Sequence, residues 1–179
     1  KFNDTSLRQH SVALAGGSIK GALSARDGAI ATLRTDLDQL ARQLVTSVNA
    51  AYNPSGASGD FFASTGTTAA SLSLVGTLTA TSLKASEGGA AGDNSVALAV
   101  AQLAHTAFAT ATGDHIDGTF SGFFSKTVSK LGQALAAANS RAEDQANIEQ
   151  LVRSQRDGVS GVSLDEEMAD LMKYQRAFQ

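Results

Sequence analysis

Two long stretches of this chain carry apolar residues at alternating steps of three and four, a spacing typical of amphipathic helices. Ser18 and Asn53 bound the first stretch, and Gly118 and Gln155 bound the second. Their apolar positions are Leu23, Ile30, Leu33, Leu37, Leu40, Leu44, Val48 and Ala51, and then Phe120, Phe124, Val128, Leu131, Leu135, Ala138, Ala142, Ile148 and Val152. Two helices of similar length are expected to pack antiparallel as part of a bundle.

The composition favours a thin core over a deep globular one. Hydrophobic residues make up 42% of the 179 residues, but only 6% are aromatic and much of the remainder is alanine. We therefore predict a mainly α fold, an elongated helical bundle or coiled coil of long antiparallel helices with a small irregular or β-prone middle region.

Charge and residue content exclude several classes of function. A net charge of −3, with no run of basic residues, argues against nucleic-acid binding. The chain has no cysteine, which rules out disulfides and thiolate chemistry. No apolar stretch is long enough to insert into a membrane, and the first residues do not resemble a signal peptide.

Breaker residues and changes of period divide the chain into five segments. We expect an extended arm over 1–17, a long helix over 18–53, an irregular or β-prone region over 54–92, return helices over 93–157, and the start of a terminal helix over 160–179. In the middle region, Leu72, Leu74 and Leu78 suggest one or two short strands or a packed irregular arm. Asp93 or Asn94 is placed to cap the first return helix, and Asp157-Gly158 is expected to end the last.

The terminal helix has strong start signals. Ser163 is placed to N-cap it, and Glu166, three residues later, completes a capping box. Acidic residues crowd its first turn, as the helix dipole favours. Its apolar seam comprises Leu164, Met168, Leu171 and Phe178. Such a narrow seam predicts a surface for another helix.

This segment resembles the C-terminal signature of bacterial flagellar axial proteins, a Ser-Gly-Val-Asn/Ser-Leu-Asp-Glu-Glu run followed by Leu-x-x-Tyr-Gln-x-Ala-aromatic. Ser163 stands where that family more often has asparagine, and both residues are good N-caps. Within the family, the blocks Gly16–Asp27, Leu37–Ala41, Val48–Tyr52, Phe61-Phe62 and Gly92–Asn94 resemble hook-associated protein 1, the hook–filament junction family. The order of these blocks matches over nearly the whole chain.

The resemblance implies a structural subunit, not an enzyme, that joins hook to filament by helix-mediated polymerisation. It would correspond to the C-terminal part of such a protein, with a short region where relatives carry β-rich insertions. The implied partners are other copies of the chain, the hook protein, an adjacent junction protein and an export chaperone. The implied location is the extracellular flagellum, reached without a cleaved signal peptide.

Three alternatives stay open beside this interpretation. The chain would also suit another axial protein such as the hook protein, although the Gly-Gly…Arg-Asp block argues against that. It would suit a secreted coiled-coil adaptor or chaperone-like binding module. An enzyme is the weakest alternative, since Glu166 and Glu167 point in different directions on a helix and no nucleophile elbow is present.

Assembly would depend on the apolar seams, and no cofactor, metal or catalytic residue is expected. The residues that we predict to carry the partner contacts are Leu33, Leu37, Leu40, Leu44, Val128, Leu131, Leu135, Met168 and Leu171. The histidines His10, His105 and His115 are too scattered for a ligand set. The run Asp114–Asp117 is more consistent with a polar loop than with a cation site.

Arg26-Asp27 allows two interpretations. The pair is either a solvated ion pair or a turn-fixing element near the start of the first long helix, as the resemblance implies.

Overall fold

The computed structural model describes residues 16–57, 59–88, 90–160 and 164–179, and it confirms the predicted mainly α class. The α-helices are α1 (Gly17–Ala25), α2 (Ala31–Tyr52), α3 (Ser95–Gln102), α4 (Phe120–Ser160) and α5 (Leu164–Ala177). The chain divides into two compact units, Lys1–Gly132 and Gln133–Gln179, which we call the first and second unit. Residues 1–15 of the predicted arm over 1–17 lie outside the described residues.

The first long helical stretch consists of three successive segments. A π-helical turn, Arg26–Ile30, connects α1 to α2. Its defining hydrogen bond runs from the Ala31 N–H to the carbonyl oxygen of Arg26, five residues back. Gly21 and Gly28 each weaken a regular helix by about 1 kcal/mol relative to alanine, which predicts an irregular start to this long helix, and the π-helical turn contains Gly28.

Helix α2 packs on two roughly opposite sides. One side buries Asp36 and Gln43, and the other buries Ala41, Val45, Val48 and Tyr52. At 3.6 residues per turn these two sets point in nearly opposite directions. Helix α2 is therefore covered by loops and helices on both sides. Contacts on two sides stabilise the helix although the apolar core itself is small.

Aromatic residues and α3 cover the apolar side of α2. The Tyr52 ring lies 5.4 Å from that of Phe61 in an edge-to-face arrangement, and Phe62 extends the cluster at 4.9 Å from Phe61. Helix α3 packs on α2 and buries Val96. Edge-to-face pairs of this kind add about 1 kcal/mol beyond the area that they bury.

The middle region consists mostly of turns, as in the irregular alternative, and not of the short strands that were the other alternative. Among the described residues, its ladder is limited to an isolated bridge between Phe62 and Leu74, flanked by the bonds Ala63 N–Ser73 O (2.9 Å) and Val75 N–Phe61 O (3.1 Å). Serine and threonine hydroxyls compete successfully for the backbone beyond this point. In one such turn, the Thr79 N–H donates to the Ser82 hydroxyl at 2.7 Å.

The return helices differ from the predicted limits at two points. Helix α3 ends at Gln102, and Phe108 instead pairs with Gly118 in a second isolated bridge and packs against Phe120. Helix α4 continues to Ser160, beyond the predicted stop at Gly158. A single glycine costs a helix only about 1 kcal/mol, which is too little to end one of this length.

Candidate assembly surface

The predicted leucines of the first helix form a stripe between the two buried sides of α2. Leu33, Leu37, Leu40 and Leu44, which we call the α2 stripe, are each half-buried. They point between the side that carries Asp36 and Gln43 and the side that carries Val45 and Val48. The stripe therefore keeps part of its apolar surface in water while its edges are covered.

The predicted residues of α4 are all exposed. Val128, Leu131 and Leu135 form the α4 stripe, with exposed fractions from 38% at Leu131 to 61% at Leu135. The neighbouring Thr127 is only 3% exposed, because its hydroxyl donates to Asp36 at 3.3 Å. Helix α4 thus contacts α2 through a polar side and leaves this apolar side open.

The second unit leaves its described side chains in water to an unusual degree. From Leu135 to Val159, and again from Asp165 to Gln179, every residue is exposed. Large apolar side chains are among them, namely Ile148, Leu151, Val152, Val159, Met168, Leu171, Met172, Tyr174 and Phe178. An exposed apolar surface of this extent is typical of a protein–protein contact.

Helix α5 presents its predicted residues to solvent. Met168 and Leu171, the α5 stripe, are 60% and 59% exposed. Glu166 lies in the first turn with Asp165 and Glu167, where carboxylates stabilise the helix dipole. The predicted Ser163 cap lies outside the described residues, so the capping box stays a prediction.

Polar side chains that the sequence did not single out hold the first unit together. Gln43 donates from Nε2 to Asp114 Oδ1 at 3.1 Å, and its Oε1 accepts the His115 N–H at 2.6 Å. Asp36 Oδ2 accepts a hydrogen bond from Lys130 Nζ at 3.1 Å in addition to the one from the Thr127 hydroxyl. Both residues lie on one side of α2, seven positions apart, and that regular spacing of polar residues was the available signal.

Asn49 provides a second anchor for the middle region. Its Oδ1 accepts the N–H groups of Phe61 (3.2 Å) and Phe62 (2.8 Å), and its Nδ2 donates to the Phe62 carbonyl oxygen at 2.9 Å. The amide therefore replaces a strand partner for the Phe61-Phe62 segment. Asn53 supports the same turn by donating to Asp60 at 3.0 Å.

The loop before α4 uses its carboxylates for its own backbone. Asp114 accepts the Ala109 N–H at 2.9 Å, and Asp117 accepts the N–H and the hydroxyl of Thr110 at 2.8 and 3.0 Å. These bonds lower the pKa of Asp117 below its usual value, chiefly through the Thr110 backbone N–H. Across the described residues, no cluster of three His, Asp or Glu side chains is arranged to hold a metal.

The ion pair predicted at Arg26-Asp27 forms within the π-helical turn. Arg26 donates from Nε to Asp27 Oδ1 at 2.6 Å and from Nη2 to Oδ2 at 3.0 Å. The side-chain hydrogen bond raises the pKa of Arg26 and lowers that of Asp27. Both side chains are well exposed.

In the part of the chain that the structure describes, no helix is both long and apolar enough to cross a bilayer.

Residues 154–179 match the family model described as flagellar basal body rod FlgEFG protein C-terminal. No curated protein and no solved structure matches the chain significantly. The matched segment includes the whole of α5 and the last turns of α4. This match supports a flagellar rod- or hook-family protein, that is, a structural component of the bacterial flagellum.

Proposed function

We propose that this chain is the hook–filament junction subunit of the flagellum and polymerises through its apolar helical stripes. The observation that carries the proposal is the exposure of α4 from Leu135 to Val159 and of α5 from Asp165 onward. The family match, residues 154–179, covers the C-terminal part of this exposed region. An axial protein of this family assembles with copies of itself and with neighbouring axial proteins. The exposed helices provide the surface for such contacts.

The spacing of the exposed residues favours helix-to-helix contact over binding of a small ligand. Leu131 and Leu135 are four residues apart, and Val128 precedes Leu131 by three. Met168 and Leu171 repeat the step of three on α5. Seams of this width pack against one further helix. Each leucine that becomes fully buried contributes about 2 kcal/mol, so a few residues per subunit suffice for assembly.

The junction role, as distinct from a general axial role, depends on the residue blocks outside the family match. The Gly16–Asp27 block opens α1, and Phe61-Phe62 is held by Asn49 at the turn that follows α2. Blocks in this order favour a junction protein over other axial subunits. Heterologous contacts between successive copies would then build a ring or helical tube between hook and filament.

The experiment replaces one stripe residue in each helix of the second unit. Leu135→Asp and Met168→Asp are introduced together into the chromosomal gene, with Ala136→Asp and Ala169→Asp as the matched control. The control residues are also exposed but lie off the two stripes. We expect the stripe variant to have complete hooks without filaments, with flagellin released into the medium, and the control to swim normally. Electron microscopy and assays of secreted protein measure both results.

Loss of the hooks themselves would contradict the junction role and favour a rod or hook protein. That second candidate is favoured by the description of the matched family, which names the basal body rod. Normal filaments in the stripe variant would contradict assembly through these helices. Tight binding of the purified chain to one soluble partner, without attachment to isolated hooks, would favour an adaptor or chaperone-like module.

Location and export follow from the same proposal. As a subunit of the external axial structure, the chain would be exported through the flagellar pathway without a cleaved signal peptide, with an export chaperone covering its stripes beforehand. Cell fractionation that finds the chain permanently in the cytoplasm would contradict this step.

A further inference from the structure

The π-helical turn lies where the sequence pattern predicts a continuous helix. The spacing of the α2 stripe continues backwards through Ile30, the last residue of the turn, to Leu23 and Ile19 on α1. With Arg26 counted as the intervening position, all of these residues follow alternating steps of four and three. In an uninterrupted helix these residues would lie along one line. A sequence with this spacing therefore fits a regular helix from α1 through α2.

The turn breaks that line. A π-helical turn contains one residue more than an α-helical turn, and it is found mostly as a single turn within an α-helix. One extra residue rotates the preceding segment by roughly 100° relative to the following one. Ile19 and Leu23 are thereby moved off the line of the α2 stripe, although the sequence places them on it.

Two features of the turn favour the π form. In the regular helix α4 the adjacent pair Arg156 and Asp157 is joined at 3.4 Å, whereas in the π-helical turn Arg26 and Asp27 form two shorter hydrogen bonds at 2.6 and 3.0 Å. Gly28 lies inside the turn, where its lack of a side chain weakens a regular helix by about 1 kcal/mol relative to alanine. A Cβ built at Gly28 has no neighbour within 4 Å, so packing does not require glycine there.

We propose that Arg26–Ile30 is a two-state register switch, in which conversion of the π-helical turn to a regular α-helical turn aligns Ile19 and Leu23 with the α2 stripe. The Arg26-Asp27 pair and Gly28 hold the π form. No residue of α1 or of the turn is buried, so the rotation of α1 disturbs no core contact. The switch stands independently of the function proposed above.

Engineered cysteine pairs distinguish the two registers, because the chain has no cysteine of its own. In a regular helix, residues seven apart lie on one side at a separation of about 10 Å. Across a π-helical turn the corresponding pair is eight apart. We compare Ser24→Cys/Ala31→Cys with Ser24→Cys/Thr32→Cys, using a thiol-reactive crosslinker of about 10 Å. The two pairs are made in the full chain and in a version carrying Asp27→Ala and Gly28→Ala.

We expect the 24/32 pair to crosslink about tenfold faster than the 24/31 pair in the unsubstituted background, since a minor register of a two-state element holds about a tenth of the molecules or fewer. The preference should reverse when Asp27 and Gly28 are replaced. The control is the pair Thr35→Cys/Arg42→Cys against Arg34→Cys/Arg42→Cys, all exposed in the regular part of α2, where the pair seven apart should be faster in both backgrounds.

Two results would overturn the proposal. Faster crosslinking of the 24/31 pair in the unsubstituted background would mean that the helix is regular throughout. An unchanged preference for 24/32 after both substitutions would mean a fixed π-helical turn rather than a switch. Circular dichroism of each variant checks that the helical content is kept.

Discussion

The two units of this protein use their helices in opposite ways. In the first unit, α2 is held on both sides, by the amides of Gln43 and Asn49 as well as by the buried Val48 and Tyr52. In the second unit, the described residues of α4 and α5 carry large apolar side chains that nothing within the unit buries. A helix can thus be positioned by its own chain or left open for a neighbour, and this chain does both.

The contrast teaches that apolar periodicity has two meanings. Between Leu33 and Leu44 it describes a half-covered stripe on an anchored helix. Over 135–159 and 165–178 it describes apolar side chains that are exposed to solvent. Polar residues distinguish the two cases, because α2 carries glutamine, asparagine and aspartate side chains that reach distant backbone groups. In the second unit, the charged pairs are local and exposed, as in Lys173–Asp170.

The largest expected effect comes from paired isoleucine truncations, one in each unit. Ile116 is fully buried, whereas Ile148 is 53% exposed. Ile116→Ala should lower the free energy of unfolding by about 3 kcal/mol, since it removes buried atoms and leaves a cavity. Ile148→Ala should change it by about 0.5 kcal/mol or less. Urea denaturation followed by far-ultraviolet circular dichroism, which reports on the helices of both units, measures both changes; equal losses would break the comparison.

A smaller effect should follow from removing the Asn49 amide. Asn49→Ala leaves the Phe61 and Phe62 N–H groups without their acceptor, which should cost about 2 kcal/mol. Asn147→Ala is the matched control on α4, where the side chain is exposed, and it should be nearly neutral. Hydrogen exchange at the Phe62 amide adds a local readout. Unchanged protection of that amide in Asn49→Ala would show that the anchor is not needed.

The smallest effect is a pH dependence confined to the first unit. The folded-state pKa of Asp117 is lowered by the Thr110 N–H and hydroxyl. Its contribution to stability is therefore fully present above the unfolded-state pKa of about 3.9 and is lost as the pH falls through the lower folded-state value. Asp117→Asn should flatten this acid limb of the stability curve. A carboxyl titration by NMR with an ordinary midpoint for Asp117 would contradict the expectation.

The sequence predicted the helices better than it predicted their partners. The three-four spacing located α2, α4 and α5, and the acidic first turn marked the start of α5. It did not reveal the two-sided packing of α2, because the residues that hold Gln43 lie in a loop far along the chain. Gly21 and Gly28 predicted an irregular start to the first long helix but not a π-helical turn, because glycine weakens a regular helix without specifying what replaces it.

The role of the predicted assembly residues stays a prediction, although their positions on the helices can be compared with the structure. Exposure of Leu135, Met168 and Leu171 is consistent with the seams that the spacing indicates, but spacing cannot tell a surface from a core. The leucines of the α2 stripe illustrate this, being half-buried between two covered sides. The strands expected near Leu74 did not form, because serine and threonine hydroxyls satisfy the backbone locally.

The hydrogen bonds that fix Phe61-Phe62 to Asn49 have a consequence for how the length of the following loop can evolve. Ala63 and Ser73 are hydrogen-bonded to each other at 2.9 Å, so the peptide between them leaves and re-enters the fold at adjacent points. Lengthening such a loop adds little closure entropy, about 0.6 kcal/mol per doubling. An insertion between Ala63 and Ser73 would therefore begin and end at adjacent points, so its length would be decoupled from the position of α2.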